Sequence, residues 1–389
     1  MPTRPPVQFS DEQLEFAAWV REFAVRHRDD YLRQAASEQY PWDMAAAMAE
    51  HGLLGMGTSA EHGGSGRIGE EISFTHLGIM QEELSYQNFY LCQLSYGATI
   101  LAPLIERHLG SSQKDEWVRG IVEGRRVVSL GVTEPGSGGD AAALRTTARP
   151  EGDEWVLAGE KTSISYAPHA AGIVVLARTP GESGQAGFTA FLVPMDAHGV
   201  SRQTFADAGW RPIGRAGVFL DDVRVPDEFR LGPIGGGFSI VLREFDYARS
   251  VIGLMAGATG RRALDLAIDY ARQREAFGHR VSAFQGVSFP IVDDAMALEA
   301  ARWVSYRALS LADAGQRFTK EAAMGKHLGV EAALNAIRTA IVTHGHYGYS
   351  EELPLQAMLR DVAGLQLGEG TPQIQRLVVA RQIFGREAV

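Results

Sequence analysis

The chain has 389 residues, a net charge of −10 and 45% hydrophobic residues, enough for two or three domains with substantial cores. The acidic balance and the lack of a basic tract argue against a nucleic-acid surface, and a single cysteine, Cys92, excludes an internal disulfide or a CxxC metal site and fits a reducing compartment. No apolar run is long enough to span a bilayer, and MPTRPPVQFS resembles neither a signal nor a transit peptide, so a cytoplasmic protein is expected.

The first helix is expected over residues 9–34. Ser10 is its candidate N-cap, Gln13 completes a capping box, and Phe9 with Leu14 supplies a hydrophobic staple. Its apolar positions are read as Leu14, Ala17, Ala18, Ala24 and Val25. A second helix follows Pro41. The glycine cluster from His62 to Gly69 contains GxGxxG at Gly64, Gly66 and Gly69, but it lies between helical stretches and is read as a loop, because a dinucleotide fingerprint needs a strand before it. Residues 71–123 read as helical.

Near Arg125 the pattern changes to short β-rich runs separated by turn residues: VVSLGV (127–132), EWVLAG (154–159), GIVVLAR (172–178), GFTAFLVP (187–194) and AGVFLDDVRVP (216–226). That spacing predicts a small antiparallel sheet or barrel. Helices resume at Phe238, expected near 238–273, 283–313 and 319–343, with a last one from Thr371. In the second of these, Val287, Ile291, Ala295 and Leu298 form an amphipathic stripe.

The last helix start is the most informative stretch. Glu369 sits between Gly368 and Gly370, which permit turn conformations closed to bulkier residues, and is followed by Thr371 and Pro372, a good N-cap and a good first helical residue. A carboxylate on such a turn suits a base that must reach a substrate, beside free N–H groups that can bind an anion. The same pattern also fits a solvated glutamate on an ordinary turn between helices.

Other motifs bear on the choice. TEPGSGGD (Thr133–Asp140), with three glycines and a proline in eight residues, is a backbone-exposed loop after a strand, either a cradle for a polar ring or phosphate or a plain hairpin turn. KTSIS (Lys161–Ser165) adds hydroxyls after the next strand. RQREAFG (Arg272–Gly278), followed by FQGVSF from Phe284, offers Arg274 to a pyrophosphate, or is a solvated helix end. His344 and His346 lack an evident third metal ligand, and no metal is expected. Tyr86, Phe89, Tyr90 and Tyr96 form an aromatic stretch read either as a pocket wall or as core.

TEPGSGGD, REAFG with FQGVSF, HYGYSEE and GEGTPQIQRLVVAR occur in the order and spacing of the acyl-CoA dehydrogenase flavoproteins, and the chain resembles that family over nearly its whole length. GEKTSIS, GWRPIGRA and HGHYGYSEE resemble the branch acting on alicyclic acyl-CoAs such as cyclohexanecarbonyl-CoA. The resemblance implies an α+β, mostly α fold: an N-terminal α-helical domain (1–125), a middle antiparallel β-barrel or sheet domain (126–233) and a C-terminal four-helix bundle (234–389). It implies FAD as cofactor and Glu369 as the base that removes the α-proton of the thioester, while the β-hydrogen leaves as hydride to flavin N5. Thr133, Ser165, Thr371 and Gln373 match flavin contacts. Arg274, Phe284 and Gln285 match positions reaching the adenosine-diphosphate half of FAD in a neighbouring subunit. Asp246 and Arg249 match positions that line the CoA channel and brace the catalytic loop, and Gly370 is placed at the substrate. The implied partners are an acyl-CoA, electron-transferring flavoprotein as acceptor, and further copies of the chain in a homotetramer or dimer.

Gly368 and Ser163 stand where straight-chain enzymes often carry aromatic bulk, as a ring-shaped acyl group requires. Val342, His346, Gly139 and Ala276 depart from the family's cofactor contacts. Dehydrogenation of cyclohexane-1-carbonyl-CoA is therefore the expected activity. The alternatives are 1,4-dehydrogenation of cyclohex-1-ene-1-carbonyl-CoA, a carrier-protein-bound acyl substrate, or a flavin-free scaffold of the same fold. Residues 87–96 contain no Asp or Glu, which favours 1,2-elimination.

Overall fold

The computed structural model describes residues 8–110, 112–181, 187–385 and 387. Helix α1 (Asp11–Arg26) begins with the expected capping box: Ser10 Oγ accepts from Gln13 N, and Gln13 Oε1 accepts from Ser10 N at 3.1 Å. The staple does not form. Phe9 packs on Trp303 and Tyr306 instead, and Leu14 stays exposed. The buried face is set by Val20, Phe23 and Ala24 rather than by the stripe from Leu14, because Phe9 already docks the start of the helix elsewhere.

Helices α2 (Tyr31–Ala35) and α3 (Trp42–Glu50) follow. The glycine cluster is a loop joining the two-residue parallel strands β1 (Met56–Gly57) and β2 (Gly66–Arg67), with no following dinucleotide-type helix. The single helical stretch expected over 71–123 is three helices: α4 (Phe74–Gln87), α5 (Phe89–His108) and α6 (Lys114–Val122). The first break falls at Asn88, whose backbone is extended and whose side chain caps Tyr90 N at 2.9 Å.

The middle of the chain forms one eight-stranded sheet from β3 (Val128–Gly131), β4 (Thr147–Glu151), β5 (Glu154–Ser165), β6 (Gly172–Arg178), β7 (Phe188–Pro194), β8 (Val200–Thr204), β9 (Arg215–Pro226) and β10 (Arg230–Leu231). The order is β10-β7-β6-β4-β5-β9-β8, with β3 also on β6. The sheet is mixed rather than wholly antiparallel: β3 and β4 both run parallel to β6. Residues of β6 and β7 are buried on both faces, which explains their unbroken apolar runs.

The C-terminal part comprises α7 (Gly237–Gln273), a hairpin of β11 (Glu275–Ala276) and β12 (His279–Arg280), α8 (Gln285–Asp313), α9 (Thr319–Thr343), α10 (Leu355–Leu365) and α11 (Pro372–Phe384). Among the described residues it thus holds five α-helices, one more than expected, since α10 falls between the helices expected to end near 343 and to begin at Thr371. The backbones of α7 and α9 touch. A Cβ on Gly329 would lie 2.4 Å from Gly253 O, and one on Gly253 2.6 Å from Gly325 O. Only glycine permits that approach, and it sets Lys326 of α9 and Arg249 of α7 beneath the turn between α10 and α11. No described helix is long and apolar enough to cross a membrane.

Candidate active site

The turn between α10 and α11 has two consecutive left-handed residues, Glu369 (φ 47) and Gly370 (φ 95). A glutamate in that region costs about 1–2 kcal/mol, so the surroundings must hold it. They do so through three successive carbonyls. Lys326 Nζ donates to Gly368 O and Gly370 O. Gln375 Nε2 donates to Glu369 O (3.0 Å) and Gly370 O (2.7 Å), and Arg249 Nε to Glu369 O (3.3 Å). Arg249 is itself fixed by Asp246 Oδ1 at 3.0 Å, while Asp246 Oδ2 accepts from Thr319. Arg249, held by Asp246, is thereby tied to the turn. Lys326 is 2% exposed, and burial pushes its ammonium down to about 8, against the pull of Glu369 and with the push of Arg249.

This clamp fixes the donors as well. In a trans peptide the N–H points opposite to the preceding carbonyl. Each N–H of Glu369, Gly370 and Thr371 is therefore anti to a carbonyl that Lys326, Arg249 or Gln375 holds, and among the described residues none of the three donates a main-chain hydrogen bond. The adjoining start of α11 adds unpaired N–H groups that carry partial positive charge. Thr371 occupies the N-cap position, but its side chain makes no capping hydrogen bond, so its hydroxyl is not committed to the helix.

The half-buried Glu369 carboxylate faces α5: Tyr96 Oη donates to Oε1 at 3.0 Å. Tyr166, just after β5, packs beside Tyr96, its ring 3.1 Å from where a Cβ on Gly97 would stand. The sheet completes the cleft. Thr133 O accepts from Thr162 N at 2.9 Å, tying TEPGSGGD to β5. Beneath that loop Lys161 Nζ, fully buried, donates to Glu134 (2.8 Å) and Leu176 O (2.7 Å). Burial pushes Lys161 down to about 8 against its ion pair. Burial also acts to raise Glu134, but Lys161 and the N–H groups of Arg145 and Thr146 hold it below the usual carboxylate range. Between Lys161 and Ile164 the β5–β9 register shifts, and Ser163 takes φ 58: a bulge where the strand meets the cleft. At the other end of the loop, a Cβ on Gly139 would meet Ile374 of α11 at 2.9 Å, so the loop and the helix start are in contact.

Residues 10–125, 129–223 and 235–384 match, in turn, the N-terminal, middle and C-terminal domains of acyl-CoA dehydrogenase. The short-chain specific acyl-CoA dehydrogenase of Rattus norvegicus mitochondria is 35% identical over 369 residues, 94% of this chain and 88% of that one. The chain belongs to the acyl-CoA dehydrogenase family. Subunit CarC of the caffeyl-CoA reductase-Etf complex of Acetobacterium woodii is 32% identical over 386 residues, 97% of this chain and 99% of that one. The solved structure of butyryl-CoA dehydrogenase from Megasphaera elsdenii superposes with a TM-score of 0.90 at 27% identity, covering 97% of this chain and 100% of that one.

As a member of this family the chain is an FAD-dependent oxidoreductase. The residues present fit such a cofactor. Thr133, Ser165 and Thr371 are half-buried, the Thr371 hydroxyl makes no capping bond, and the start of α11 offers N–H groups. That is the donor set a flavin ring, edged with carbonyl and imide groups, calls for.

The structure brings together Glu369, Gly370, Thr371, Asp246 and Arg249, while Thr133 and Ser165 lie on the sheet side, joined to α11 through Gly139 of the Thr133–Asp140 loop. Gln373 is exposed on α11, and the buried glutamine that reaches the turn is Gln375. Ile374, Leu377 and Val378 of α11 are only partly covered, because Gln375 takes the inward position. Arg274 caps α7, Phe284 caps the start of α8 and Gln285 is its first residue. Arg274 and Gln285 are exposed, and no described contact links the three to the turn. His344 Nδ1 lies 2.8 Å from Ala340 O and its ring packs on Tyr270. Among the described residues no acidic, His or Cys cluster suits a metal. The aromatic stretch divides: Tyr86 bonds Asp265, Phe89 and Tyr90 are core, and only Tyr96 reaches the carboxylate. Sequence reasoning missed Lys326, Gln375 and the Glu134–Lys161 pair.

Proposed function

We propose that Glu369 is the base of an acyl-CoA dehydrogenase whose substrate is a compact, ring-shaped or branched acyl-CoA, with cyclohexane-1-carbonyl-CoA the specific choice. The carbonyl clamp carries the reading. It holds a carboxylate in a left-handed turn and occupies the carbonyls, leaving the Glu369 and Gly370 N–H groups free to donate to a thioester oxygen. Such donors acidify the α-carbon, and Glu369 takes its proton. FAD, when bound, accepts the hydride from the β-carbon. Thr133, Ser165 and Thr371 hold the flavin ring. Asp246 and Arg249 keep the turn in place at the end of the channel.

Two positions support a wide, short acyl site. A Cβ on Gly368 would meet nothing within 4 Å, and Ser163 puts only a hydroxymethyl group at the bulge. The rat relative is specific for short-chain acyl-CoA, which agrees with a compact acyl group. The absence of a carboxylate in residues 87–96 favours 1,2-elimination over removal of a remote proton.

Electron-transferring flavoprotein is the proposed acceptor, supported by the relative named as a subunit of an Etf complex. A homotetramer or dimer is supported by the position of Arg274, Phe284 and Gln285. They lie away from the turn, beside Phe277, which is 94% exposed, as parts of a site completed by a second copy would be. The chain divides accordingly at about 1–125, 126–233 and 234–389.

The test is an anaerobic titration of the purified flavoprotein with cyclohexane-1-carbonyl-CoA, followed through the visible flavin band. Bleaching is the expected result. A band that stays oxidised with this thioester and bleaches with butyryl-CoA would replace the ring substrate with a short straight chain.

A further inference from the structure

Among the described residues the Glu369 carboxylate has one hydrogen-bond partner, and it comes from another part of the chain. Tyr96, 273 residues away in sequence, donates its hydroxyl to Oε1 at 3.0 Å. Among the described residues Oε2 makes no hydrogen bond. The charged groups around the turn do not compete for this role. Lys326 from α9 and Arg249 from α7 direct their donors to main-chain carbonyls, and Asp246 from α7 is taken up by Arg249 and Thr319. The nearby phenols are Tyr166, whose hydroxyl donates to Gln93 O at 2.7 Å, and Tyr247 on α7.

We infer that Tyr96 is a positioning residue for proton abstraction: its hydroxyl holds Oε1 of Glu369, so that Oε2 faces the α-carbon of the acyl group. The inference rests on Glu369 being the base.

Three features support it. The ring is 8% exposed on a helix buried along most of its length, so the hydroxyl sits on a rigid element. Burial and the neighbouring carboxylate push the phenol well above its ordinary range, so it stays a donor throughout the working pH. A carboxylate with one oxygen held has lost a rotational freedom that would otherwise compete with the productive orientation. When the proton arrives on Oε2, the Tyr96 bond to Oε1 is retained.

Tyr96→Phe removes the hydroxyl and keeps the ring. The expected enzyme retains FAD and binds acyl-CoA, but its flavin is reduced about tenfold or more slowly at saturating substrate. KM stays close to the wild-type value, so the loss falls on kcat. A role in packing alone would disturb FAD content or KM along with the rate. A wild-type reduction rate at saturating substrate would overturn the inference. Glu369→Gln, measured alongside, separates the two readings: if it reduces flavin at the wild-type rate, the assignment of the base has failed rather than that of Tyr96.

Discussion

Asp361 and Glu369 lie on one short stretch, α10 and the turn that follows it, and are held in opposite ways. Asp361 is 1% exposed, and donors reach both its oxygens. Tyr31 Oη bonds Oδ2 at 2.7 Å, while Oδ1 takes Tyr90 Oη at 3.2 Å and Trp210 N at 2.8 Å. Those donors come from α2, α5 and the segment between β8 and β9, so Asp361 pins α10 to both other parts of the fold. Trp210 Nε1 adds a bond to Asp361 O at 2.7 Å. Glu369 is half-buried, its backbone is clamped, and only one of its oxygens is engaged. A saturated carboxylate serves as a structural pin, whereas proton chemistry needs one whose backbone is fixed and whose side chain keeps an oxygen free.

The comparison breaks most sharply at Glu369. Glu369→Gln keeps the shape and the Tyr96 bond but cannot take a proton. Flavin reduction should fall about 10²- to 10⁴-fold with FAD content unchanged, as read by anaerobic stopped-flow. A wild-type rate would remove Glu369 from the mechanism. Lys326→Met tests the clamp without touching the carboxylate. Two carbonyls lose their donor, and the turn can relax by a fraction of an ångström. A loss of about 10- to 100-fold in the same rate is expected, with cofactor retained. An unchanged rate would mean that Gln375 and Arg249 hold the turn unaided.

Glu369 was legible because its signals are local: two glycines, Thr371 and Pro372 sit beside it. Lys326, 42 residues from Gly368, looks in the sequence like any charge on an amphipathic helix, and only its burial reveals it. Tyr96 and Asp361 meet their partners across most of the chain, a pairing that no spacing encodes. The same division holds for the fold. Strands β5, β6, β7 and β9 carry apolar runs and were readable. Strands β4 and β8 are largely exposed, the first containing Pro150 and the second paired only with β9, and they left no pattern. Helix α10 was not among the expected helices: its short sequence starts without a polar cap, Pro354 standing at the N-cap position.

At Asp361 the effect should appear in stability. Asp361→Ala leaves the Tyr31 and Tyr90 hydroxyls and the Trp210 N–H buried and unpaired, a cost of about 3 kcal/mol, seen as an earlier denaturation midpoint. Asp361→Asn keeps one acceptor oxygen for Trp210 N and Tyr90 Oη, and its NH2 can donate to the Tyr31 hydroxyl oxygen, so it should stay within about 1 kcal/mol of wild type near neutral pH. The pair also reports the charge. Burial pushes Asp361 up to about 6, against the Trp210 N–H and the two tyrosine hydroxyls. In the unfolded chain an aspartate titrates near 3.9. The native state therefore keeps this proton to higher pH. The stability it contributes is fully present below about 4 and is lost as the pH rises through about 6. Subtracting the Asp361→Asn midpoint from that of wild type cancels groups common to both, including Glu244, which burial also raises. The difference should fall between about pH 4 and pH 6 and then level off. A difference that is flat or rising over that interval would mean Asp361 is charged throughout, its three donors outweighing the cost of burying it.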